Sequence, residues 1–436
     1  MSFTTSLTQS ISWSWFFVHT LFICSTFSIA GSEASIAFLY LIGLVVHLWR
    51  RYLPRMDDLL LWVMLGFIAV VLFTSWLSPY DPNLLMALRS HWRFLLPFIL
   101  VSIFRERNEE GVLQFFFVFL LLIGIYGIIQ FYTGVDWLRA AENSLAAPYG
   151  DSYWHGKGNF THHLTYGGYL LVCFPLTVAL VFCKEWGPAA RMLILLVAVL
   201  VLGGLIVSMG RSVWLGALAA CGVLGLWLIP RTTLIALAGA LVLMWAMHSQ
   251  LPQNVPSLSS ITSSGDVLQQ RLTSAFSADA NRDRLNMWAS GWAAIQDHFW
   301  VGVGFEQDEV ALPKYREPIE AQGFRFQHGP GVGLHNLYLQ VWLDYGLIGL
   351  IAFLLIWVTF YIKSAAAILK SERFTFSNAV LWGVLAGMTG HLVAAVFENN
   401  FRDGEVQTIV LMMMGLSLTQ MDRLNRRIFN PKIVRR

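Results

Sequence analysis

Apolar runs of about twenty residues recur along this chain from its first dozen residues to its last thirty, and this spacing constrains the fold more than any other feature. A helix rises about 1.5 Å per residue, so about 20 residues cross a hydrocarbon core about 30 Å thick. Within lipid every backbone N–H and C=O must find an internal partner, which leaves helices or a closed barrel. The alternating ten-residue segments of a barrel are absent, so helices are expected. Composition agrees: the 436 residues are 56% hydrophobic and 13% charged, against about 25% charged for a soluble domain. The spacing predicts spans at 11–30, 34–49, 58–77, 84–103, 111–133, 164–183, 189–209, 212–229, 232–248, 336–362, 377–397 and 405–420. The first, Ile11–Ala30, lacks the basic leader of a signal peptide and is read as a span. The expected fold is an all-α integral membrane protein of about 12 transmembrane helices, with one large outer loop containing amphipathic helices. Residues 1–248 then hold helices one to nine, 249–335 the large loop, 336–420 helices ten to twelve, and 421–436 a basic cytoplasmic tail. Cys24, Cys173, Cys183 and Cys221 form no CxxC pair, so neither a disulfide framework nor a zinc site is expected.

The positive charges orient this arrangement. With the N-terminus inside, the cytoplasmic segments hold Arg50, Arg51 and Arg55; Arg105 and Arg107; Lys184 and Arg191; and Arg231. They also hold Lys363, Lys370, Arg373 and the tail from Arg423 to Arg436. The short outer segments hold only Arg139, Lys157, Arg211 and Arg402. That is the positive-inside pattern; the long loop, which has more basic residues, translocates regardless of charge. The loop opens on a Pro/Ser/Gln-rich stretch and then carries RLNMWASGWAAIQDHFW. Leu285, Trp288, Trp292, Ile295 and Phe299 recur there at helical spacing. Such a helix either packs on the bundle or lies in the membrane interface over a lipid access route.

Charged residues at membrane depth are costly and need a reason. Arg211 stands at the outer mouth between two spans (VSMGRSVWLG), where it either snorkels to the headgroups or meets a ligand. Arg284, flanked by Arg282 and Asp283, is expected to open the amphipathic helix, where the unpaired N–H groups of a helix start favour an anion. His335 begins LHNLYLQVWLDYGLIGL at the outer edge of span ten, and a histidine there can accept a proton. His162 and His163 are adjacent at the edge of span six, a weak basis for a metal site. Arg89, His91 and Arg93 add charge to span four. There is no P-loop, GxGxxG, HExxH or GxSxG, and no DxD pair on the outer side to hold a metal–diphosphate complex. A phosphorylated donor would have to be gripped by arginines, which bind phosphate bidentately.

The run His335-Asn336-x-x-Leu339 followed by Tyr345-Gly346-Leu347-Ile348-Gly349 resembles the HNxxL…xGxxG signature of the O-antigen ligase/polymerase superfamily. Arg284-Leu285-x-x-Trp288 followed by Val301-Gly302-Val303-Gly304 is similar to its RxxxW…GvG element. Gly210-Arg211-Ser212 is similar to its arginine at the start of a span. Phe299-Trp300 departs from the proline-containing pair usual before GvG, which touches turn geometry. The size and the single dominant outer loop resemble the ligase branch. The resemblance implies a glycosyltransferase of the bacterial inner membrane that uses no nucleotide sugar. The donor would be a polysaccharide on undecaprenyl diphosphate, the acceptor a sugar hydroxyl of lipid A–core, and the active site periplasmic. His335 would act as general base, with Arg211 and Arg284 on the diphosphate and Arg282, Arg89 and Arg93 as further substrate-binding candidates. No metal or cofactor is expected, and no nucleic-acid partner; membrane lipids are. A polymerase with a lipid-linked glycan acceptor is the nearest alternative, and a polysaccharide transporter a more distant one.

Overall fold

The computed structural model describes residues 3–50, 58–80, 83–105, 109–138, 153–232, 267 and 278–429. They form an all-helical bundle. The helices are α1 (Phe3–Cys24), α2 (Ile29–Arg50), α3 (Leu59–Trp76), α4 (Leu84–His91), α5 (Leu96–Phe104) and α6 (Glu110–Thr133). Next come α7 (His163–Val181), α8 (Pro188–Val207), α9 (Arg211–Leu228), α10 (Ala278–Asp297), α11 (Asp308–Ala311) and α12 (Pro313–Glu320). The chain closes with α13 (Leu337–Lys370), α14 (Phe376–Ala394) and α15 (Gly404–Phe429).

Eight helical stretches are long and apolar enough to cross a membrane among the described residues: α3, α4 with α5, α6, α7, α8, α9, α13 and α14. Shorter apolar stretches, Trp13–Cys24 and Ile29–Leu44, lie in α1 and α2. The ninth expected span, 232–248, lies almost wholly outside the described residues. The twelfth is helical but polar for a span, with Gln407, Thr408, Ser417, Thr419 and Gln420 along it. Its position explains this: Val406 through Asp422 are buried without interruption, so the helix faces other helices rather than lipid. It also continues to Phe429, into residues expected as a tail.

The core is built by close approach. In lipid, helices gain little from hydrophobicity and associate through packing at small residues. A Cβ on Gly216 of α9 would lie 2.4 Å from the Gly390 carbonyl oxygen of α14, and one on Gly390 would lie 2.7 Å from that of Gly216. Helix α7 joins the same contact one turn away, where a Cβ on Gly387 would strike the Val172 carbonyl oxygen and Leu171 touches both Gly216 and Gly390. These three helices and α15 form the interior that positions the site.

Helix α13 is two helices joined at Gly346, whose φ of 69° breaks the ladder. Here two of the glycine motifs meet. The Val303 and Gly304 N–H groups donate to the carbonyls of Leu343 and Asp344, at 2.8 and 2.9 Å, and the Leu347 N–H to that of Phe299. A Cβ on Gly346 would stand 2.1 Å from the Trp300 carbonyl oxygen, and one on Gly302 2.5 Å from that of Asp344. VGVG and YGLIG are thus two halves of one backbone contact that docks the loop on α13.

Helix α10 packs differently from its expected face. Its buried stripe is Met287, Ser290, Gly291, Ala294 and Ile295, with Gly291 against the Leu334 side chain. Trp288 donates its indole N–H to the Leu334 carbonyl at 2.9 Å. Leu285 and Trp292, on the apolar face expected either to pack on the bundle or to lie in the membrane interface, are 53% and 42% exposed. Ser290, Gly291 and Ala294 let the backbones close up on this side, and Leu285 and Trp292 are left outward.

Candidate active site

Helices α7, α9, α13 and α15 all begin at the same end of the bundle. Each helix start presents unpaired N–H groups and the positive pole of its dipole. Around these starts lies a cavity of about 740 Å³. Arg211, Arg284 and His335 all line it. They come from α9, α10 and the α13 approach, far apart in the chain.

Local sequence explains each placement. Arg211 is the first residue of α9, after a turn in which Met209 takes a left-handed φ of 55° and Gly210 caps without a side-chain bond. That turn is held from outside: the Ser208 carbonyl accepts from His163 Nδ1 at 2.6 Å, and the Val207 carbonyl from the Gly156 N–H at 2.8 Å. His335 itself sits at φ 47°, a strained conformation for a residue with a Cβ. Asn336 follows as the cap of α13, its side chain accepting from the Tyr338 and Leu339 N–H groups at 3.0 Å each. The His-Asn pair thus has a mechanical meaning: Asn fixes the helix start, and His is turned out of it. Arg284 lies in the second turn of α10, since the helix begins at Ala278. The expected pairing of this arginine with a helix start therefore fails.

A carboxylate that sequence reasoning passed over organises the site. Glu398, buried just after α14, accepts from an Arg284 Nη2 and from His335 Nδ1, the latter at 3.3 Å. Ser212 Oγ approaches the same carboxylate at 3.3 Å. His335 is left with a buried Nε2 that has no hydrogen-bond partner among the described residues. With Nδ1 donating to Glu398, Nε2 carries the lone pair that takes a proton. Its signal in the sequence was ENNFRD, three charged residues within six between two apolar spans.

The lining is not uniformly cationic. Arg402 pairs with Asp308 at 2.7 Å, and Gln340 Nε2 bridges Asp308 and Asp344 at 2.7 and 2.8 Å. Asp283 binds the Gln327 N–H and His328 Nδ1. Asp403 accepts from Thr165 at 2.7 Å, and burial pushes its carboxyl up to about 6. Burial likewise raises Glu306 and lowers His162. His162 and His163 line the cavity, but no group of three or more His, Cys, Asp or Glu side chains among the described residues is arranged to hold a metal.

The remaining candidates lie elsewhere. Arg282 is exposed, 5.6 Å over the Phe324 ring. Arg89 is exposed on α4. Arg93 is ion-paired with Glu33 and lines a smaller neighbouring cavity.

Fold and site together define a polytopic helical membrane protein with a polar chamber at the helix-start end of its bundle. Residues 196–354 match the protein-family model described as O-antigen ligase, a stretch running from α8 into α13 and including Arg211, Arg284 and His335. The match supports assignment of the chain to the O-antigen ligase family. No curated protein matches it.

Proposed function

We propose that the chain is a glycosyltransferase that moves a polysaccharide from undecaprenyl diphosphate to a sugar hydroxyl of lipid A–core, on the periplasmic face of the inner membrane. The observation that carries this is the convergence of Arg211, Arg284 and His335 on one cavity, with Glu398 tying the last two together. The basic residues gathered at the opposite end of the bundle support a cytoplasmic assignment for that end and a periplasmic one for the cavity.

The acceptor hydroxyl gives its proton to His335 Nε2 as its oxygen bonds to the anomeric carbon. The bond from that carbon to the diphosphate oxygen breaks, and its electron pair stays on the diphosphate. Attack opposite the leaving group inverts the anomeric centre. Glu398 holds the ring during the step and stabilises the imidazolium that forms. Arg211 and Arg284 take up the charge developing on the diphosphate, helped by the helix starts around them. Arg284 has five N–H donors, so it can grip phosphate while one of them stays on Glu398. The uneven lining sets the requirement: carboxylates repel a diphosphate wherever they are not already paired, so the arginines fix where it can lie.

Purified protein, lipid-linked polysaccharide and lipid A–core, assayed with and without a chelator, test this. Transfer with inversion, undiminished by chelator, is expected. Loss of transfer on chelation would overturn the arginine-only scheme, since the carboxylates would then be holding a metal. Transfer to a lipid-linked glycan instead of lipid A–core would make the protein a polymerase. Movement of glycan across the membrane without a new glycosidic bond would make it a transporter.

A further inference from the structure

A second, smaller chamber of about 210 Å³ adjoins the first, and Glu306 and Arg402 line both. It lies among α2, α4, α13 and α15. Its two cations are already matched. Arg93 pairs with Glu33 and donates to Gln407 Oε1 at 2.9 Å. Arg402 pairs with Asp308 and stands 5.7 Å over the Phe305 ring. An anion entering here would meet Arg93 with its Nε, Nη1 and Nη2 all engaged by Glu33 and Gln407, and Arg402 paired with Asp308, beside the Asp344 and Glu306 carboxyls. A hydrocarbon tail would match the apolar side chains but would shut the Ser90 hydroxyl and the Glu306 carboxyl away from water, and desolvated polar groups are costly. What remains is a neutral molecule with many hydroxyls. Hydroxyls both donate and accept, so they suit carboxyl, carboxamide and serine groups together. The lining also includes Phe305 and Phe401, whose aromatic faces suit the C–H side of a sugar ring. The volume is below the roughly 300–1,000 Å³ of pockets for drug-sized ligands, and so fits one small unit.

We propose that this chamber is a subsite for a single sugar of the acceptor glycan. The assignment rests on the transfer reading of the larger chamber. The donor's reacting sugar must lie beside Arg211, Arg284 and His335. The acceptor then reaches His335 from the Arg402 side, with a neighbouring sugar seated in the small chamber.

Ser90 of α4 lines the chamber and is partly exposed, so it tolerates a probing substitution. Ser90→Phe fills the space, Ser90→Leu fills it in part, and Ser90→Ala is the control. In full-length protein that elutes and melts like the wild type, Ser90→Phe should raise acceptor KM about tenfold or more, Ser90→Leu less. Donor KM and kcat should stay within about twofold. An unchanged acceptor KM in folded Ser90→Phe or Ser90→Leu, or a shift in donor KM instead, would overturn the subsite. Saturation-transfer NMR with methyl glucoside and methyl galactoside reads the chamber without any transfer. Signal in the wild type that disappears in Ser90→Phe supports it; signal in both proteins, or in neither, overturns it. A chamber-dependent signal in a protein that transfers nothing would sink the transferase reading and leave the sugar site standing.

Discussion

The two ends of the bundle use the same kinds of charged residue to opposite ends. At the basic end, Arg105 grips Asp422 through Nε and Nη2, both at 3.0 Å, and Arg426 joins the same carboxylate. Arg423 and Gln420 hold Glu109, and Lys363 holds Asp58. These pairs close on one another, and the gap beside them is only about 50 Å³. Arg105 stands at the C-cap of α5 and Asp58 and Glu109 at the N-caps of α3 and α6, so each charge lies at the helix pole it offsets. At the other end Arg211, Arg284 and His335 line about 740 Å³ of open space at four helix starts. A paired charge that fills its own volume is structural, whereas charges arranged around a volume are poised for something that enters it.

That contrast is most directly broken at His335. His335→Ala should lower transfer by about 10²–10⁴, the usual contribution of a general base, in a protein that still elutes as folded; ordinary rates would remove the base. Arg211→Lys should cost up to about 10²–10³, because an ammonium lacks the fork that grips a diphosphate. Full activity would reduce Arg211 to snorkelling. Glu398→Gln should lose about 10–10², as charge-assisted hydrogen bonds contribute roughly 1.5–3 kcal/mol. If the loss appears in kcat with donor KM unchanged, Glu398 acts through His335 rather than Arg284. At the basic end, Asp422→Asn should leave the rate per folded molecule within about twofold while lowering the melting temperature, because it breaks a buried pair; a large rate loss would erase the distinction between the two ends.

Asp403 gives the smallest effect, in stability rather than rate. Burial raises its carboxyl from 3.8 to about 6, so the folded state favours the protonated form. Its contribution to stability is therefore full below the unfolded value and lost as pH rises from about 4 through about 6. Asp403→Asn should flatten that part of the melting temperature–pH curve; an unchanged slope would place the titration elsewhere.

The sequence made the membrane fold legible because lipid enforces it residue by residue. Each apolar run must be helical wherever it lies, and the described runs are. The HNxxL, GvG and xGxxG elements were legible for a related reason: a cap, a left-handed turn and a close backbone contact each leave a local signature. The buried face of α10 was not legible, since Leu285 and Trp292 are as apolar as a core residue. Only the presence of Leu334 at Gly291 decides which side turns inward.

Sequence by itself determined that the chain is a bundle of membrane helices, which of its ends gathers the basic residues, and which three residues deserved attention. Tertiary structure alone decided that those three surround a single cavity, that Glu398 links two of them, and that a second chamber shares Arg402 with the first. The reason is distance along the chain. A helix or a cap is fixed by neighbours within a few residues, but Glu398 meets His335 across 63 residues and Arg284 across 114. Such contacts exist only once α9, α10, α13 and α14 have packed.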